Sequence, residues 1–263
     1  MRLSEVLRLF TQHGLLLQSQ ALEGIDNLSG AVRVDNRELE AGDIFVCIRG
    51  QVSDGHRFIP DARAKGASLI VGEDEFTDAL PAIRVSDSRK ATALLAKLFH
   101  NDPSSCFRLV GVTGTNGKTT TSMLLFNAAR ELGISTGWIG TLGYYINDVH
   151  HETRHTTPDI LQLNGIFARM AEQGVKLVFM EVSSHALALD RVYGIEFDYC
   201  LFTNLSREHL DFHPNMEEYG KAKLKLLLSH GITTVFHHNG LTCIALNIRQ
   251  SLNENFCCIV SIV

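Results

Sequence analysis

Short, continuously apolar segments alternate with helix-like segments between residues 107 and 204. FRLVGV, VKLVFMEV and FDYCLFTN lack the polar alternation of a strand with one hydrated face. Strands of this kind are buried on both faces, as in a parallel sheet that helices cover on both sides. The sequence therefore predicts an α/β fold, in which ligands bind at the carboxyl ends of the strands.

The first part of the chain predicts a smaller α/β unit. Apolar residues at helical spacing from Leu3 to Phe10 indicate an amphipathic helix that ends near Gly14. Pro103, in the polar stretch 101–105, is expected to end a later helix and to mark a linker. Strands are expected at residues 31–50, 68–72 and 82–86, and helices at 58–65, 89–99, 119–132 and 159–173. We predict domains at residues 1–103 and 104–228, followed by an atypical tail at 229–263.

The composition predicts a globular protein, since 45% of its 263 residues are hydrophobic. The net charge of −5, without a long Lys/Arg block, argues against nucleic acid or an anionic membrane as a partner. Apolar runs stay far below the ~20 residues of a membrane-spanning helix, and the first residues lack the apolar block of a signal peptide. The six cysteines have no CxxC spacing, so we expect reduced thiols and a cytoplasmic location. The oligomeric state is not legible in the sequence.

The segment GVTGTNGKTTT, residues 111–121, follows one of the predicted strands and precedes a predicted helix. A strict GxxxxGKT pattern does not match, because Val112 stands where its first glycine belongs; the actual pattern, GxxGKT at residues 114–119, is tighter. Glycines let backbone N–H groups face an anion, the lysine can reach the β/γ-phosphates, and the threonine hydroxyl can bind Mg²⁺. The alternative is a capped helix start with a solvated lysine. The strand–turn–helix context favours phosphate binding.

Polar side chains also follow two other strands. Glu181 ends VKLVFMEV, where a Walker B carboxylate would help to hold Mg²⁺; the alternative is a cap on the next turn. FTNLSREHLDFH supplies His209 and His213, which are either a His-x₃-His zinc pair on a helix or two surface histidines. In HTTPDIL, residues 155–161, an N-cap with Pro158 in the first helical turn is a sufficient structural explanation.

In their order and spacing, TGTNGKTTT, HTTPDIL, MEVSSHAL, TNLSREHLDFH and EEYGKAKLKLL resemble the Mur ligases, which build the peptide stem of bacterial cell-wall precursors. Within that family they resemble the ligases that add the third residue of the stem. VDNRELEAGDIFVCIRGQVSDGHRFI is similar to their uridine-nucleotide domain. The resemblance, read from the tandem order of the motifs, spans residues ~20 to ~228. It implies a small N-terminal UDP-binding α/β domain followed by a P-loop-type, mostly parallel sheet flanked by helices.

The resemblance implies an ATP-dependent, ADP-forming ligase of peptidoglycan synthesis. ATP would phosphorylate a carboxylate of UDP-MurNAc-L-Ala-D-Glu, and the amine of meso-diaminopimelate or lysine would attack the acyl phosphate. The residues implied for ATP are Gly114, Thr115, Asn116, Gly117, Lys118, Thr119 and Thr120. Thr119, Glu181 and His209 are implied for one Mg²⁺, and Lys223, as a carbamate formed with CO₂, for a second Mg²⁺. Lys118, Lys223 and His209 are the implied catalytic residues; without the resemblance, Lys223 would be interpreted as an ordinary solvated lysine.

The resemblance also implies a set of residues that hold the UDP-linked substrate. They are Val34, Asn36, Gln51, Val52, Ser53, His155, Thr156, Thr157, Ser183 and Arg191, with His155 more a neighbour than a contact. Asn36 departs from the family, which usually reads DSR where this chain has Asp35-Asn36-Arg37. An amide can still donate a hydrogen bond to a diphosphate, so the departure is tolerable.

The resemblance stops near Leu228. The C-terminal domain with which the family binds the incoming amino acid is expected to be missing, and the tail ends in the β-prone, apolar CCIVSIV. The expected consequence is weak or absent ligation with substrate binding retained; a divergent strand pair that completes the sheet is the alternative interpretation of the tail. Two other functions remain as alternatives. One is an enzyme similar to folylpolyglutamate or cyanophycin synthetases, against which SSHAL, HTTP and the UDP-type domain argue; the other is a non-catalytic nucleotide- or UDP-substrate-binding remnant.

Overall fold

The chain forms two mostly parallel sheets flanked by helices, as seen in a computed structural model that describes residues 1–50, 53–76 and 80–228. This confirms the predicted α/β class. The domain boundaries at residues 103 and 228 stay a prediction, and the predicted tail lies outside the described residues.

The first sheet has five strands in the order β1-β5-β4-β3-β2. Its strands are β1 (Leu16–Gln20), β2 (Val32–Arg33), β3 (Ile44–Val46), β4 (Leu69–Gly72) and β5 (Ala82–Val85). β1 pairs antiparallel with β5, and the other neighbours are parallel. The helices of this part are α1 (Leu3–Gln12), α2 (Ile59–Ala64) and α3 (Ser88–Phe99). α1 ends beside Gly14, whose positive φ of 65° suits a glycine.

The second sheet has six strands in the order β11-β6-β10-β7-β8-β9. They are β6 (Arg108–Thr113), β7 (Thr136–Gly140), β8 (Gly143–Ile146), β9 (Val149–His151), β10 (Leu177–Glu181) and β11 (Tyr199–Phe202). β11, β6, β10 and β7 are parallel, whereas β8 and β9 add an antiparallel hairpin. The helices are α4 (Lys118–Glu131), α5 (Ile160–Glu172), α6 (Ser184–Ala188) and α7 (Met216–Leu228).

Helices cover both faces of the second sheet, as its apolar strands require. On one face Phe126 of α4 packs with Val110, Trp138 and Phe179. On the other, α5 contributes a row of buried apolar side chains to the larger core of the molecule. Because β6, β7, β10 and β11 are parallel, their carboxyl ends lie along one edge, where the predicted motifs follow them in the chain.

α3 is buried on more than one side. Ala93 and Ala96 belong to the core of the second sheet, whereas Leu94 and Leu95 belong to that of the first. The side chain of Asp87 caps its first turn by accepting hydrogen bonds from two backbone N–H groups. A single helix therefore contributes to both cores.

Several local predictions are wrong. The antiparallel strand β1 and the β8–β9 hairpin were not expected. Pro103 does not end α3, which stops at Phe99, but begins a short 3₁₀ turn over Pro103–Cys106. Pro158 does not lie in the first turn of α5, because Asp159 is the N-cap and accepts hydrogen bonds from two N–H groups of that turn. His209 and His213 lie between β11 and α7 in irregular backbone, not on a helix.

Candidate functional site

The glycine turn connects β6 to α4, and two of its glycines have positive φ. Gly114 has φ 147°, and a Cβ atom there would lie 1.9 Å from Oγ1 of Thr203. Gly117 has φ 82° and precedes the first residue of α4, with open space where its Cβ would be. A side chain at residue 114 would therefore collide with Thr203, and one at residue 117 would strain the backbone. The turn leads directly into a helix N-terminus, which favours a bound anion.

Lys118, the first residue of α4, folds back over the turn. Its Nζ donates to the carbonyl oxygens of Gly114 and Thr115, at 3.0 and 2.8 Å. Burial lowers the pKa of Lys118, while the charges of Glu181 and Glu208 act in the opposite direction. Its ammonium group is thus held at the turn by two neutral carbonyls, which an anion could replace.

The segment after β11 wraps the first half of the turn. Asn204 donates its amide to the carbonyl of Asn116 and accepts from the N–H of Asn116, both at 3.0 Å. The Thr115 side chain is 4% exposed, and its Oγ1 accepts from the N–H of Ser206 at 2.9 Å. The Thr115 hydroxyl and the Asn116 N–H are therefore engaged within the protein. Of the predicted ATP residues, Gly117, Lys118 and Thr119 lie where the turn meets the helix, and Thr120 is exposed on α4.

Glu181 lies at the end of β10, fully buried. Its Oε2 accepts from Oγ1 of Thr119 at 2.9 Å, and its Oε1 accepts from the N–H of Thr141 at 3.0 Å. A Cβ on Gly140 would lie 2.1 Å from Oε1, so a glycine is needed beside the carboxylate. Both donors are neutral, so these hydrogen bonds do not neutralise its charge. A buried carboxylate next to a hydroxyl is a ligand pair suited to Mg²⁺, and Thr141 is a member of this group that the sequence did not reveal.

Lys223 of α7 is only 1% exposed, contrary to an ordinary solvated lysine. Its Nζ donates to the carbonyl of Gly114 at 2.6 Å and lies 4.6 Å from the ring centre of Tyr219. Burial, followed by the charge of Lys118, lowers the pKa of Lys223 to about 7. A large part of this amine is therefore neutral near pH 7, and a neutral amine is what reacts with CO₂ to form a carbamate.

His209 and His213 are brought together with a third histidine, His185 of α6. Ring centres lie 5.1 Å apart for His185 and His209, and 5.8 Å apart for His185 and His213. His213 is buried, and its Nε2 has no hydrogen-bond partner among the described residues. Burial lowers the pKa of both His185 and His213. The burial of His213 is contrary to the interpretation of both as surface histidines, whereas His209 keeps a side chain that is 40% exposed.

Three of the residues predicted for the UDP-linked substrate meet beside Glu181. The Thr157 hydroxyl donates to the carbonyl of Glu181 at 2.9 Å and accepts from the N–H of Ser183 at 3.1 Å. Arg191 donates from Nη1 to the carbonyl of Thr157 at 3.1 Å. Burial lowers the pKa of Arg191. Thr156 lies close by, with its hydroxyl 3.2 Å from that of Thr141; His155 is exposed.

The residues of the first domain that were predicted to bind uridine diphosphate do not form a common hydrogen-bonded group, unlike Thr157, Ser183 and Arg191. Val34 is exposed, and Asn36 donates its amide to Oδ2 of Asp61 at 2.8 Å. Ser53 is exposed and accepts a hydrogen bond from the N–H of Gly50 at 2.9 Å. Gln51 and Val52 lie outside the described residues. None of the described contacts joins these residues to the Thr157 group.

Asp54, His56 and Asp74 are the group of potential metal ligands that the described residues contain. His56 donates from Nδ1 to Asp54 at 2.6 Å and accepts at Nε2 from the N–H of Glu73 at 2.9 Å. Arg49 pairs with both aspartates. The guanidinium and the occupied imidazole leave this group satisfied without a metal. A cavity of about 940 Å³ between α1, α3 and α7 is lined by none of the predicted site residues.

The sheet order and the glycine turn at the end of β6 define an α/β protein of the P-loop type. Comparison with known proteins is more specific: the profile of the Mur ligase middle domain matches residues 112–262, and that of the Mur ligase family catalytic domain matches residues 30–100. The chain belongs to the Mur ligase family. The first match runs into residues 229–262, so the predicted atypical character of the tail stays a prediction.

Curated relatives are similar over most of this chain. The UDP-N-acetylmuramoyl-L-alanyl-D-glutamate–2,6-diaminopimelate ligase of Bacteroides thetaiotaomicron is 48% identical over 197 residues, which cover 74% of this chain and 41% of that protein. The ligase of the same name from Bacillus cereus is 41% identical over 226 residues, covering 86% and 46%. The chain thus spans less than half the length of these relatives.

Solved structures agree with the fold. A structure of a UDP-N-acetylmuramoyl-L-alanyl-D-glutamate–2,6-diaminopimelate ligase superposes with a TM-score of 0.73 at 27% identity, covering 90% of this chain and 47% of the other. The MurF ligase from Thermotoga maritima in complex with ADP gives 0.51 at 20% identity, covering 81% and 51%, which supports the fold alone. Among the described residues, no helix has the length and apolar character to cross a membrane.

Proposed function

We propose that the chain provides the UDP-substrate-binding and ATP-binding parts of a cytoplasmic peptidoglycan ligase. The ligase adds meso-diaminopimelate, or lysine, to UDP-MurNAc-L-Ala-D-Glu through an acyl phosphate and forms ADP and phosphate. The observation that carries the proposal is the meeting of three groups at one sheet edge. These are the glycine turn with Lys118, the Glu181–Thr119 pair, and the Thr157–Ser183–Arg191 group.

The juxtaposition of these groups suits a reaction between two anions. A carboxylate and a triphosphate repel each other, and their approach requires fixed positive charge and oriented donors. Lys118 would leave the carbonyls of Gly114 and Thr115 and neutralise the β/γ-phosphates, beside the N-terminus of α4. The group formed by Thr157, Ser183 and Arg191 lies next to the backbone of Glu181. A substrate held by this group would therefore lie close to the phosphates of ATP bound at the glycine turn.

Mg²⁺ fits the residues at the end of β10. Glu181 and the Thr119 hydroxyl would hold one ion, with His209 as a further ligand, and a carbamate on Lys223 would support a second; the ions would supply charge neutralisation. The burial of Glu181 without a cationic hydrogen-bond donor and the low pKa of Lys223 support this assignment. Once its amine is carbamylated, Lys223 would carry a negative charge beside the glycine turn, where it could serve as a metal ligand.

The first experiment measures binding by the purified chain with titration calorimetry, using MgATP and UDP-MurNAc-L-Ala-D-Glu separately. Both are expected to bind. Phosphate release is then measured with ATP, Mg²⁺, bicarbonate and the UDP-dipeptide, with and without meso-diaminopimelate. Release that depends on the amino acid would show ligation by this chain alone; binding without release would support the assignment of sites and identify a non-catalytic chain. Failure to bind either ligand would contradict the proposal.

A ligase of the folylpolyglutamate type is the remaining alternative. It would bind MgATP but not the UDP-linked dipeptide. The match of residues 30–100 to a Mur ligase profile argues against it, and the two titrations distinguish it from the proposed function.

A further inference from the structure

Tyr219 of α7 touches both the glycine turn and Lys223. Its side chain is fully buried, one helical turn before Lys223. The ring lies under Nζ of Lys223, 4.6 Å from the ring centre, and the hydroxyl lies 3.0 Å from Oγ1 of Thr115. No sequence motif assigns a role to Tyr219.

The other hydrogen bonds of the Thr115 hydroxyl determine whether the Tyr219 hydroxyl is donor or acceptor in their shared bond. Oγ1 of Thr115 accepts from the N–H of Ser206 at 2.9 Å and donates to the carbonyl of Ser206 at 3.3 Å. A hydroxyl has one donor and two acceptor sites, so the remaining site accepts from the Tyr219 hydroxyl. With this arrangement the buried Thr115 is fully satisfied.

We infer that Tyr219 is a positioning residue of the phosphate turn: its hydroxyl holds Thr115 and thereby fixes the turn against α7. The inference rests on the proposed ATP site. Other contacts restrain the turn from a different side, because Asn204 binds Asn116 and belongs to the segment after β11. The tyrosine hydroxyl instead joins the turn to the helix that carries Lys223.

This bond gains importance if Lys223 is carbamylated. The second contact from α7 to the turn is Nζ of Lys223, which donates to the carbonyl of Gly114 at 2.6 Å. Carbamylation makes this nitrogen part of an anionic group, which weakens its contact with a carbonyl oxygen. The Tyr219–Thr115 bond does not depend on the state of the lysine, so it would keep the turn in register with α7 in both states.

The simpler alternative is that the tyrosine ring merely fills the core between α7 and the turn. Tyr219→Phe separates the two roles because it removes the hydroxyl and keeps the ring. The matched control is Tyr199→Phe on β11, where the side chain is 47% exposed. A packing role predicts no effect of the first substitution on the turn.

Two quantities are measured for each variant: amide hydrogen exchange of residues 111–120 without nucleotide, and the dissociation constant for MgATP. Loss of a buried hydroxyl partner is expected to increase exchange in the turn and to weaken MgATP binding by about 3- to 10-fold. UDP-MurNAc-L-Ala-D-Glu binding and the control variant should be unchanged. Unchanged exchange, or increased exchange with unchanged MgATP affinity, would overturn the inference.

Thr115→Val removes the same bond from its other end and serves if Tyr219→Phe does not fold, as judged by circular dichroism. In the double variant the two losses should overlap rather than add; additive losses would contradict the bond. If the unsubstituted chain does not bind MgATP, the proposed function fails. The exchange measurement then still decides whether Tyr219 restrains the turn.

Discussion

The phosphate turn and the uridine residues of the first sheet differ in how their polar groups are paired. At the turn, groups of α4, β10, α7 and the segment after β11 hydrogen-bond the turn or one another, and Thr115, Glu181, Tyr219 and Lys223 are buried, so the site is built before a ligand arrives. Around Asn36 the pairs are partly open to water: the exposed Arg37 binds the half-buried Asp35, and the half-buried Asn36 binds the half-buried Asp61. Pairs that water reaches contribute little to stability and exchange readily with a ligand. Preorganisation is therefore expected on the ATP side, and rearrangement on the uridine side.

The largest expected effect tests the buried lysine of the ATP side. Its lowered pKa means that the unfolded chain binds more protons than the native protein between about pH 7 and pH 10.5. Stability should therefore rise with pH across this window, by about 1.4 kcal/mol per pH unit from Lys223. Chemical unfolding at several pH values, without bicarbonate, measures this slope.

In Lys223→Met the contribution of Lys223 should disappear and the slope should fall, because this amine is gone; the buried Lys118, whose pKa is also lowered, keeps its own contribution. Lys225→Met, on the exposed side of the same helix, is the control and should keep the full slope. Equal slopes in the unsubstituted chain and in Lys223→Met would show that Lys223 is not buried as described.

The second prediction concerns Glu181. Glu181→Gln keeps the shape of the side chain but removes the charge, so MgATP binding should weaken roughly 100-fold, as for the loss of a metal-supporting group. Titrations with and without excess chelator separate the metal-dependent part of the binding. Glu131→Gln at the end of α4 is the control. A loss of the same size in the presence of chelator would argue against a metal role.

Arg191 tests whether the substrate side is separate from the ATP side. Arg191→Ala should weaken UDP-MurNAc-L-Ala-D-Glu binding roughly tenfold, because a charge-assisted contact is lost, and leave MgATP binding unchanged. Calorimetry with each ligand measures both. Arg154→Ala, at an exposed position, serves as control. An equal loss for both ligands would indicate damage to the Thr157 group as a whole.

The smallest effect is expected at Asn36. Asn36→Ser restores the residue usual in the family and removes the amide that Asp61 holds. UDP should bind about 2- to 3-fold more tightly, since no internal hydrogen bond has to break first. Weaker UDP binding by the variant would mean that the amide itself is the ligand.

Much of the second sheet could be predicted from the sequence, because parallel strands buried on both faces consist of nearly unbroken runs of apolar residues. β1 and β9 were missed because they are short and partly polar, and β8, whose GYYI is rich in strand-favouring residues, was missed because it is only four residues long. The glycine turn was recognisable from local pattern. The burial of Lys223, the contacts of Tyr219 and Asn204, and the third histidine, His185, depend on segments distant in sequence, and no periodicity reports such contacts.

The apolar faces of α3 have a consequence for how the protein can be divided. Ala93 and Ala96 belong to one core, and Leu94 and Leu95 to the other. A fragment that starts at residue 104 would lack α3, whose Ala93 and Ala96 are part of its hydrophobic core. The fragment that ends before residue 104 would expose the apolar surface of α3 that packs against α5. The two parts are thus expected to unfold as one cooperative unit, and an excised ATP-binding fragment would need solubilising substitutions along α5.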